Sequence, residues 1–270
     1  MSNNYISIYA KSFNWAGFFL PKKIFLKCSA LYDFCRTVDN IADEDGDLDI
    51  KKKKFLDFKN NFINKNYNDQ IIKQMWALIE HFGISIEIIK DLFDGIESDL
   101  KEIVQLNSKK DLLIYSYRVA GTVGLMMSKI LKVKNKEALK GAIDLGIAMQ
   151  LTNITRDVCE DRDRNRQYIK PDFSAIKETI NESQIFYKKS FSSISSIPLR
   201  SRFSVIVARR VYKKIGDYAK AIELMREMTD ILKENGIKHQ LGNSIMTYAN
   251  LLYYIGYEDK AYSYYLEALE

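Results

Sequence analysis

Two acidic segments constrain this 270-residue chain more than any other feature. One covers residues 32–44 with the sequence YDFCRTVDNIADE, and the other covers residues 150–168 with the sequence QLTNITRDVCEDRDRNRQY. Residues four apart lie one turn above each other on a helix, so each segment predicts a helix with carboxylates along one face. The aspartates placed in this way are Asp39 and Asp43 in the first segment and Asp157 and Asp161 in the second.

Paired carboxylates of this kind suit hard divalent cations. Mg²⁺ prefers oxygen ligands and is usually held by a few carboxylates together with the phosphates of a substrate. Two acidic faces opposed across a cavity would therefore accommodate a diphosphate together with its metal ions. A single acidic pair is most often a solvated helix face, because exposed carboxylates are the default in proteins. The residues around the pairs decide between these two interpretations.

The surroundings of both pairs resemble the signatures of the squalene/phytoene synthase family. The first family motif, DxxxD, matches Asp39 and Asp43, with Tyr32 and Arg36 at the expected upstream spacing. The second motif, QxxNxxRDxxED followed by RxY, is long and fixed in spacing, which makes the match specific. Its residues in this chain are Gln150, Asn153, Arg156, Asp157, Glu160, Asp161, Arg166 and Tyr168.

Four further segments extend the resemblance over roughly the first four-fifths of the chain. They are KSFNWAGFFLP (11–21), FDGIESDL (93–100), YRVAGTVGLMM (117–127) and IPLRSRFSVIVARRVYKKIG (197–216). The last of them looks more like bacterial phytoene synthases than like squalene synthases. A glycine inside a helix costs up to about 1 kcal/mol relative to alanine. The glycines of segment 117–127 are therefore expected to serve either tight helix packing or the close approach of a prenyl tail.

The resemblance implies an all-α fold, namely a trans-isoprenoid synthase helical bundle around a central cavity, with a C-terminal helical hairpin. It also implies a prenyltransferase that uses Mg²⁺ or Mn²⁺. The implied metal ligands are Asp39, Asp43, Asn153, Asp157 and Asp161. The implied catalytic residues are Tyr32, Arg36, Asp39, Asp43, Arg156, Asp157 and Asp161. The implied substrate-binding residues are Ser12, Phe13, Tyr117, Val119, Gly121, Gln150, Asn153, Arg166 and Tyr168, and the candidates for an apolar wall are Phe13, Phe34, Val119 and Leu125.

In the family, two prenyl diphosphates join through a cyclopropylcarbinyl diphosphate that ionises again. The resemblance favours conversion of geranylgeranyl diphosphate to phytoene through prephytoene diphosphate, in carotenoid biosynthesis and without a nicotinamide. The alternative is a squalene, hydroxysqualene or dehydrosqualene synthase that uses farnesyl diphosphate, with NADPH for squalene. The chain has no glycine-rich dinucleotide fingerprint, but reductive family members do not rely on one. An inactive or chimeric helical-repeat binding protein is the alternative from another class.

The last fifth of the chain departs from the family pattern. Two similar stretches, GDYAKAIELMREM from Gly216 and GYEDKAYSYYLEAL from Gly256, place Lys-Ala at the same offset. They resemble tetratricopeptide helices, although a solenoid needs at least three repeats. We predict a catalytic domain over residues 1–216 and a tetratricopeptide-like helical tail over residues 217–270. The tail is expected to dock on the catalytic domain or to bind a partner protein. The alternative is that the tail comes from an unrelated sequence, in which case it would leave the cavity open at one end.

Composition narrows the other possibilities. Three prolines and twelve glycines favour long helices over a turn-rich β architecture. The net charge of +6 comes without basic and aromatic residues interleaved, which argues against nucleic-acid binding but is compatible with contact to anionic lipid. The chain shows no targeting or spanning segment, and its three cysteines lack disulfide or metal spacing. These features predict a cytoplasmic protein with possible peripheral contact at the inner face of the membrane.

Hydrophobic periodicity predicts ten helices along the chain. Their ranges are 21–44, 51–66, 69–82, 84–105, 109–132, 135–163, 173–194, 198–229, 240–254 and 257–269.

Overall fold

The computed structural model describes residues 17, 19–44, 46–234, 238–254 and 258–268, and these are almost entirely helical. The α-helices are α1 (Lys22–Asp43), α2 (Leu48–Ile63), α3 (Gln70–Phe82), α4 (Ile86–Glu97), α5 (Lys109–Ser116), α6 (Thr122–Ile130), α7 (Lys136–Arg156), α8 (Val158–Asp163), α9 (Phe173–Ser193), α10 (Leu199–Glu234), α11 (Lys238–Tyr254) and α12 (Glu258–Glu267). The all-α prediction is therefore confirmed.

Two short strands, one π-helical turn and one 3₁₀ turn complete the described residues. Strands β1 (Val104–Gln105) and β2 (Arg166–Gln167) pair in parallel, with Val104 opposite Arg166. A π-helix (Tyr117–Gly121) joins α5 to α6, and a 3₁₀ turn (Ile194–Ser196) follows α9. Among the described residues, no helix is both long enough and apolar enough to cross a membrane.

Several helices begin where a short polar side chain caps them. The carboxylate of Asp47 accepts hydrogen bonds from two backbone N–H groups at the start of α2, and Asp69 does the same for α3. The side-chain oxygen of Asn135 caps α7 in the same way. Such caps satisfy backbone donors that a helix leaves without partners in its first turn. They fix the beginnings of these helices close to the positions that the sequence predicts.

The predicted helices 84–105 and 135–163 are too long. The first stops as α4 at Glu97, and the chain after it joins the strand pair with a segment more than sixty residues away. The second breaks at Asp157, which has φ −101° and ψ 13° and separates α7 from α8. Hydrophobic periodicity predicts neither feature. The strand pair depends on a partner segment that is distant in sequence, and the helix break depends on the conformation of one residue.

An aromatic cluster fills the core between α1, α2 and α4. Phe34 lies within about 6 Å, ring centre to ring centre, of Phe58, Phe62 and Phe93. Phe34 and Phe93 are buried, and the Trp76 indole on α3 donates to the carbonyl of Phe62. Phe34 is thus a core residue, which corrects the expectation that it forms a wall of the substrate cavity.

Helices α6 and α7 approach each other through glycines. A Cβ atom on Gly124 would lie 2.2 Å from the carbonyl oxygen of Ala142, and one on Gly146 would lie 2.3 Å from that of Ala120. Real Cβ atoms do not approach backbone so closely, so both positions require glycine. The missing side chains therefore serve helix packing, and Ala120, Gly124, Ala142 and Gly146 also line the cavity described below.

The C-terminal helices pack in sequence on the end of α10. The hydroxyls of Thr229 on α10 and Ser244 on α11 form a hydrogen bond of 2.7 Å. The rings of Tyr248 on α11 and Tyr264 on α12 pack edge to face. The predicted domain boundary at residue 216 falls inside α10, which continues without a break to Glu234. The catalytic-domain and tail division stays a prediction.

Candidate active site

One cavity of about 480 Å³ lies between α1, the π-helix with α6, α7, and the N-terminal half of α10. Polar residues meet at one end of it, namely Tyr32, Arg36, Asp39, Gln150, Asn153, Arg156 and Tyr212. Most of the remaining wall is apolar or small, and includes Cys28, Leu92, Val119, Val123, Met127, Leu131, Val133 and Leu145.

Helix α7 spans the length of this cavity. It contributes Ala138 to the apolar end and Asn153 to the polar end. Fifteen helical residues separate these two positions, which corresponds to about 22 Å along the helix axis. The cavity therefore combines a polar pocket with a long apolar channel, and an elongated ligand with one charged end fits this division.

Arginines hold the first acidic pair on α1. Arg36 Nη1 lies 2.5 Å from Asp39 Oδ2 and 4.0 Å from Asp43 Oδ2. Arg166 on β2 donates to Asp43 Oδ1 at 2.6 Å and to the carbonyl of Ala42 at 2.9 Å. Burial, reinforced by the charge of Asp43, raises the pKa of Asp39 to about 7. The burial of Asp39 and the charge of Asp43 thus outweigh the attraction of Arg36 and Arg166 in setting the pKa of Asp39.

The second acidic pair lies at the break between α7 and α8. Arg156 grips Asp157 with two hydrogen bonds of 2.6 Å, from Nε to Oδ1 and from Nη2 to Oδ2. Burial, together with the neighbouring Asp157 charge, raises the pKa of Asp161 to about 7. Asp161 lines a small pocket that also includes Arg166 and Tyr168.

A buried carboxylate supports the segment that presents Arg166. Asp99 accepts hydrogen bonds of 2.8 Å from the hydroxyls of Tyr115 and Tyr168, whose rings stack with centres 4.6 Å apart. Burial raises the pKa of Asp99 to about 6, although the charge of Arg166 and the two tyrosine hydrogen bonds oppose the shift. The strand pair and this cluster together fix β2 beside α1, so that Arg166 reaches Asp43.

Asn153 presents an acceptor that the described structure leaves unsatisfied. Its Oδ1 atom is buried and makes no hydrogen bond, and the residue lines the polar end of the cavity. A buried polar atom without a partner costs about 1–3 kcal/mol. Such an atom is an observation that favours a ligand at this position.

Within the described ranges, no group of three or more His, Cys, Asp or Glu side chains is arranged to hold a metal ion by itself. The donor set nevertheless fits Mg²⁺ bound together with a diphosphate, because it consists of oxygen donors around surplus negative charge. The raised pKa values of Asp39 and Asp161 and the unsatisfied oxygen of Asn153 are the observations that support this fit.

The structure brings many of the predicted residues to the cavity, and it places others beside it. On the lining are Tyr32, Arg36, Asp39, Val119, Gln150, Asn153 and Arg156. Off the lining are Asp43, Tyr117, Gly121, Leu125, Asp157, Asp161, Arg166 and Tyr168. Ser12 and Phe13 lie outside the described residues.

Two of the residues off the lining have other partners. The Tyr117 hydroxyl donates to Asp91 Oδ2 at 2.8 Å, which holds the start of the π-helix against α4. Gly121 lies beneath the ring of Tyr117 and against Ile143 of α7. In this structure both residues support the wall of the cavity from behind.

Sequence reasoning did not single out Asp99, Tyr115 or Tyr212. Asp99 falls in the FDGIESDL segment, where a carboxylate follows a strongly apolar helix face, and this was a usable signal. Tyr212 lines the polar end of the cavity, and its pKa is raised by burial. Its basic and apolar surroundings on α10 gave no local sign of this position.

Known proteins share both the sequence pattern and the fold. A model of the squalene/phytoene synthase family matches residues 7–172. The 15-cis-phytoene synthase of Pantoea ananas is 26% identical over 244 residues, covering 78% of this chain and 79% of that protein. The phytoene synthase of Cereibacter sphaeroides is 28% identical over 239 residues, covering 76% and 67% respectively.

Solved structures agree with this assignment. A dehydrosqualene synthase crystallised with a ligand superposes with a TM-score of 0.66 at 27% identity, covering 77% of this chain and 81% of that one. The squalene synthase HpnC from Alicyclobacillus acidocaldarius gives a TM-score of 0.68 at 17% identity, covering 81% and 91%, and shows the fold alone. Because the family match spans more than half of the chain and both acidic motifs, this protein belongs to the squalene/phytoene synthase family and is a prenyltransferase.

Proposed function

We propose that this protein joins two molecules of geranylgeranyl diphosphate head to head and forms phytoene through prephytoene diphosphate. The observation that carries the proposal is a cavity with two arginines, the Asp39 carboxylate and an unsatisfied amide oxygen at one end and an apolar channel along the rest. A prenyl diphosphate has the same division into a charged head and a long hydrocarbon tail.

The polar end has the groups that a diphosphate needs. Arg36 and Arg156 line the cavity and pair with Asp39 and Asp157. Guanidinium groups bind phosphate oxygens as well as they bind carboxylates. When a diphosphate enters, these arginines exchange carboxylate oxygens for phosphate oxygens, and the released aspartates become available as ligands.

Divalent metal ions fit this exchange. Bound Mg²⁺ or Mn²⁺ would stabilise the leaving diphosphate as a Lewis acid. The residues that would hold the ions are Asp39, Asp43, Asn153, Asp157 and Asp161. Arg166 keeps Asp43 in place from the far side, through the hydrogen bond at 2.6 Å. A bound ion would also give the buried Asn153 oxygen the partner that it lacks.

The channel protects the cation that forms when the diphosphate leaves. Val119, Val123 and Leu145 belong to this wall, and their side chains have no group able to attack carbon. A site that excludes water prevents premature capture of a reactive intermediate. The apolar wall therefore directs the allylic cation toward the second prenyl chain instead of toward hydrolysis.

Two observations point to different prenyl chain lengths. The curated relatives from Pantoea ananas and Cereibacter sphaeroides are named phytoene synthases, which favours geranylgeranyl diphosphate. The structural relative at 27% identity is a dehydrosqualene synthase, which makes farnesyl diphosphate the second candidate. Neither proposed reaction needs a nicotinamide, so both differ from squalene formation.

Product analysis tests the proposal. The purified protein is incubated with geranylgeranyl or farnesyl diphosphate and Mg²⁺, with and without NADPH, and extracted hydrocarbons are separated by mass. We expect phytoene from geranylgeranyl diphosphate, in equal amounts with and without NADPH. Dehydrosqualene from farnesyl diphosphate as the main product would replace the first candidate by the second, and a product that requires NADPH would overturn both.

A further inference from the structure

Three exposed apolar side chains lie outside the wall of the cavity's apolar end. They are Phe19 before α1, and Leu199 and Phe203 on the first turns of α10. Leu199 is 77% exposed and Phe203 53%, although the Phe203 ring meets Phe19 edge to face at 4.7 Å. Leu199 and Phe203 are four residues apart and share one helix face. We call these three residues the aromatic patch.

The aromatic patch and the cavity use opposite sides of the same two segments. Leu20 and Ser204 line the cavity, whereas their neighbours Phe19 and Phe203 face outward. On α10, Phe203 precedes Tyr212 of the polar end by nine residues, or about 13 Å. The patch therefore lies toward the apolar end of the channel and away from the arginines.

Basic residues surround the aromatic patch. Lys22 and Lys23 follow Phe19 within four residues, and Arg200 lies one turn before Phe203; all three are exposed. None of these three forms an ion pair within the described part of the chain. The segments that supply the patch contain no Asp or Glu over residues 17–32 or 183–216, and the second of them carries eight Lys and Arg residues.

We propose that the aromatic patch docks on an anionic lipid surface and that the channel exchanges hydrocarbon with the membrane at this place. Exposed aromatic and aliphatic side chains enter the headgroup boundary, and each nearby Lys or Arg adds attraction to anionic lipid. A protein partner would not require an acid-free rim on both segments. A long hydrocarbon product does not dissolve in water, so it needs a route from the channel into the lipid. Contact at the patch would place the apolar end of the channel next to the bilayer.

The exchange of hydrocarbon with the membrane rests on the proposed function, whereas binding to the lipid surface does not. Lipid binding can therefore be tested without measuring turnover. The full-length protein is sedimented with vesicles of phosphatidylcholine alone, and with vesicles of phosphatidylcholine mixed with phosphatidylglycerol. We expect binding to the mixed vesicles and little binding to phosphatidylcholine alone. Added salt should weaken the binding, because it screens the charges on both surfaces.

Variants locate the contact. Arg200→Glu should weaken binding to mixed vesicles at least about fivefold, the factor for one basic residue near such a surface. The double variant Leu199→Ser with Phe203→Ser should weaken binding several-fold without changing turnover in detergent micelles, since neither residue lines the cavity. Matched controls on α2 are Ile63→Ser and Lys53→Glu, which alter an exposed aliphatic residue and an exposed lysine far along the sequence.

Two results would overturn the proposal. One is vesicle binding by the double variant and by Arg200→Glu that equals binding by the controls. The other is absence of vesicle binding together with a dimer in sedimentation velocity that Phe203→Ser disrupts, which would assign the patch to a second copy of this chain. Failure to form any hydrocarbon, with patch-dependent vesicle binding intact, would count against the proposed function and leave the docking surface supported.

Discussion

Asp99 is a charge-bearing side chain held almost entirely inside the protein, at 7% exposure. Burying a carboxylate is unfavourable unless hydrogen bonds compensate for the lost water. Tyr115 and Tyr168 supply two such bonds, but the pKa of Asp99 is still raised to about 6. Burial of the Asp99 carboxylate therefore lowers the stability of the fold, while its hydrogen bond holds Tyr168 and the nearby Arg166 in place. The loss of stability should be measurable.

The first prediction concerns the pH dependence of stability through Asp99. An acid with a raised pKa in the folded state binds its proton more tightly there than in the unfolded chain. Stability from this group is therefore greatest below its ordinary pKa of 3.8, and falls as the pH rises to about 6. The loss is at most roughly 3 kcal/mol, from about two pKa units. Asp99→Asn should remove this component.

Urea unfolding of wild type and Asp99→Asn between pH 4 and pH 8 measures the difference. Asp49→Asn is a suitable control, because its exposed carboxylate lies on α2. If Asp99→Asn kept the full wild-type decline in stability between pH 4 and pH 6, Asp99 would not be the buried acid described here. Activity should also fall, because Tyr168 loses part of the support that positions Arg166.

The second prediction separates ligand binding from folding at Asn153. Its buried oxygen has no hydrogen bond, so Asn153→Leu should keep or raise the free energy of unfolding by up to about 1–3 kcal/mol. The same change should abolish most turnover, because the ligand loses its amide contact. Gln184→Leu is a matched control: its Nε2 atom is also buried without a partner, but it does not line the cavity.

Denaturant unfolding and product assay on both variants decide this point. Equal loss of turnover in Asn153→Leu and Gln184→Leu would argue that a general packing effect, and not a ligand contact, lies behind the result. Loss confined to Asn153→Leu, with stability kept, is the expected outcome.

At the residue scale, the motif spacing singled out Arg36, Asp39 and Asn153, and these three residues line one cavity. Their roles in binding and catalysis stay predictions. Phe34 was assigned wrongly to the cavity wall, since an aromatic at helical spacing fits a core as well as a channel. Asp99 was missed, because its role depends on Tyr115 and Tyr168, which are 16 and 69 residues away in sequence.

Among the secondary-structure elements, irregular ones shape the site. The π-helix at Tyr117–Gly121 turns Val119 and Ala120 toward the cavity, and π-helical turns occur often at functional sites. The break at Asp157 ends α7 and begins α8 between the two residues of the second acidic pair. The sequence predicted continuous helices at both places, because one extra residue in a turn leaves the apolar pattern nearly unchanged, and so does a break at one residue.

The third prediction tests the close approach of α7 to the π-helix. Gly146→Ala would place a methyl group 2.3 Å from the carbonyl oxygen of Ala120. Rigid backbone on both sides leaves no flexible atom to move, so we expect a loss of about 1–3 kcal/mol in stability. The cavity wall should also shift, and turnover should fall.

Gly242→Ala on α11 is the control, because its Cβ would have only an ordinary contact of 3.6 Å with the Ala268 oxygen. Alanine improves helix propensity there, so stability should stay the same or rise by up to about 1 kcal/mol. Thermal unfolding compares the two variants. A Gly146→Ala protein as stable and as active as wild type would show that the helices can separate freely.

On the scale of the whole molecule, α10 connects the cavity to the C-terminal helices. Its N-terminal half contributes Ser204 and Tyr212 to the lining, and its C-terminal end supports α11. Lys260 on α12 lies 3.5 Å from Glu160 of the second acidic segment. An exposed ion pair stabilises by about 0–1 kcal/mol, so apolar packing must supply most of any docking energy.

The fourth prediction concerns docking of the tail. A chain truncated after Gly216 should have a lower melting temperature and lower turnover than the full chain, because it loses half of α10 and the Lys260 contact. Limited proteolysis of the full chain should spare residues 217–234 of α10 and 238–254 of α11 at protease levels that cleave exposed loops. A labile tail whose removal changes neither stability nor turnover would contradict docking.

The sequence predicted the C-terminal helices but not their attachment. Ranges 240–254 and 257–269 match α11 and α12 within about two residues at the ends, since apolar periodicity is local. The predicted helix 198–229 already ran through residue 216, and α10 does so. The domain boundary predicted at residue 216 followed the end of the family resemblance and not a break in the helical pattern. A change in sequence pattern need not interrupt a helix.

In the proposed mechanism, the aspartates of the two acidic segments serve a ligand and not the fold. The most direct measurement is the rate of hydrocarbon formation from geranylgeranyl diphosphate and Mg²⁺ by wild type, Asp39→Asn and Asp157→Asn, with circular dichroism of each. We predict helical spectra equal to wild type, apo melting temperatures unchanged or raised, and turnover lower by about a thousandfold, as expected for several kcal/mol of lost transition-state stabilisation. Wild-type turnover in both variants would contradict the account.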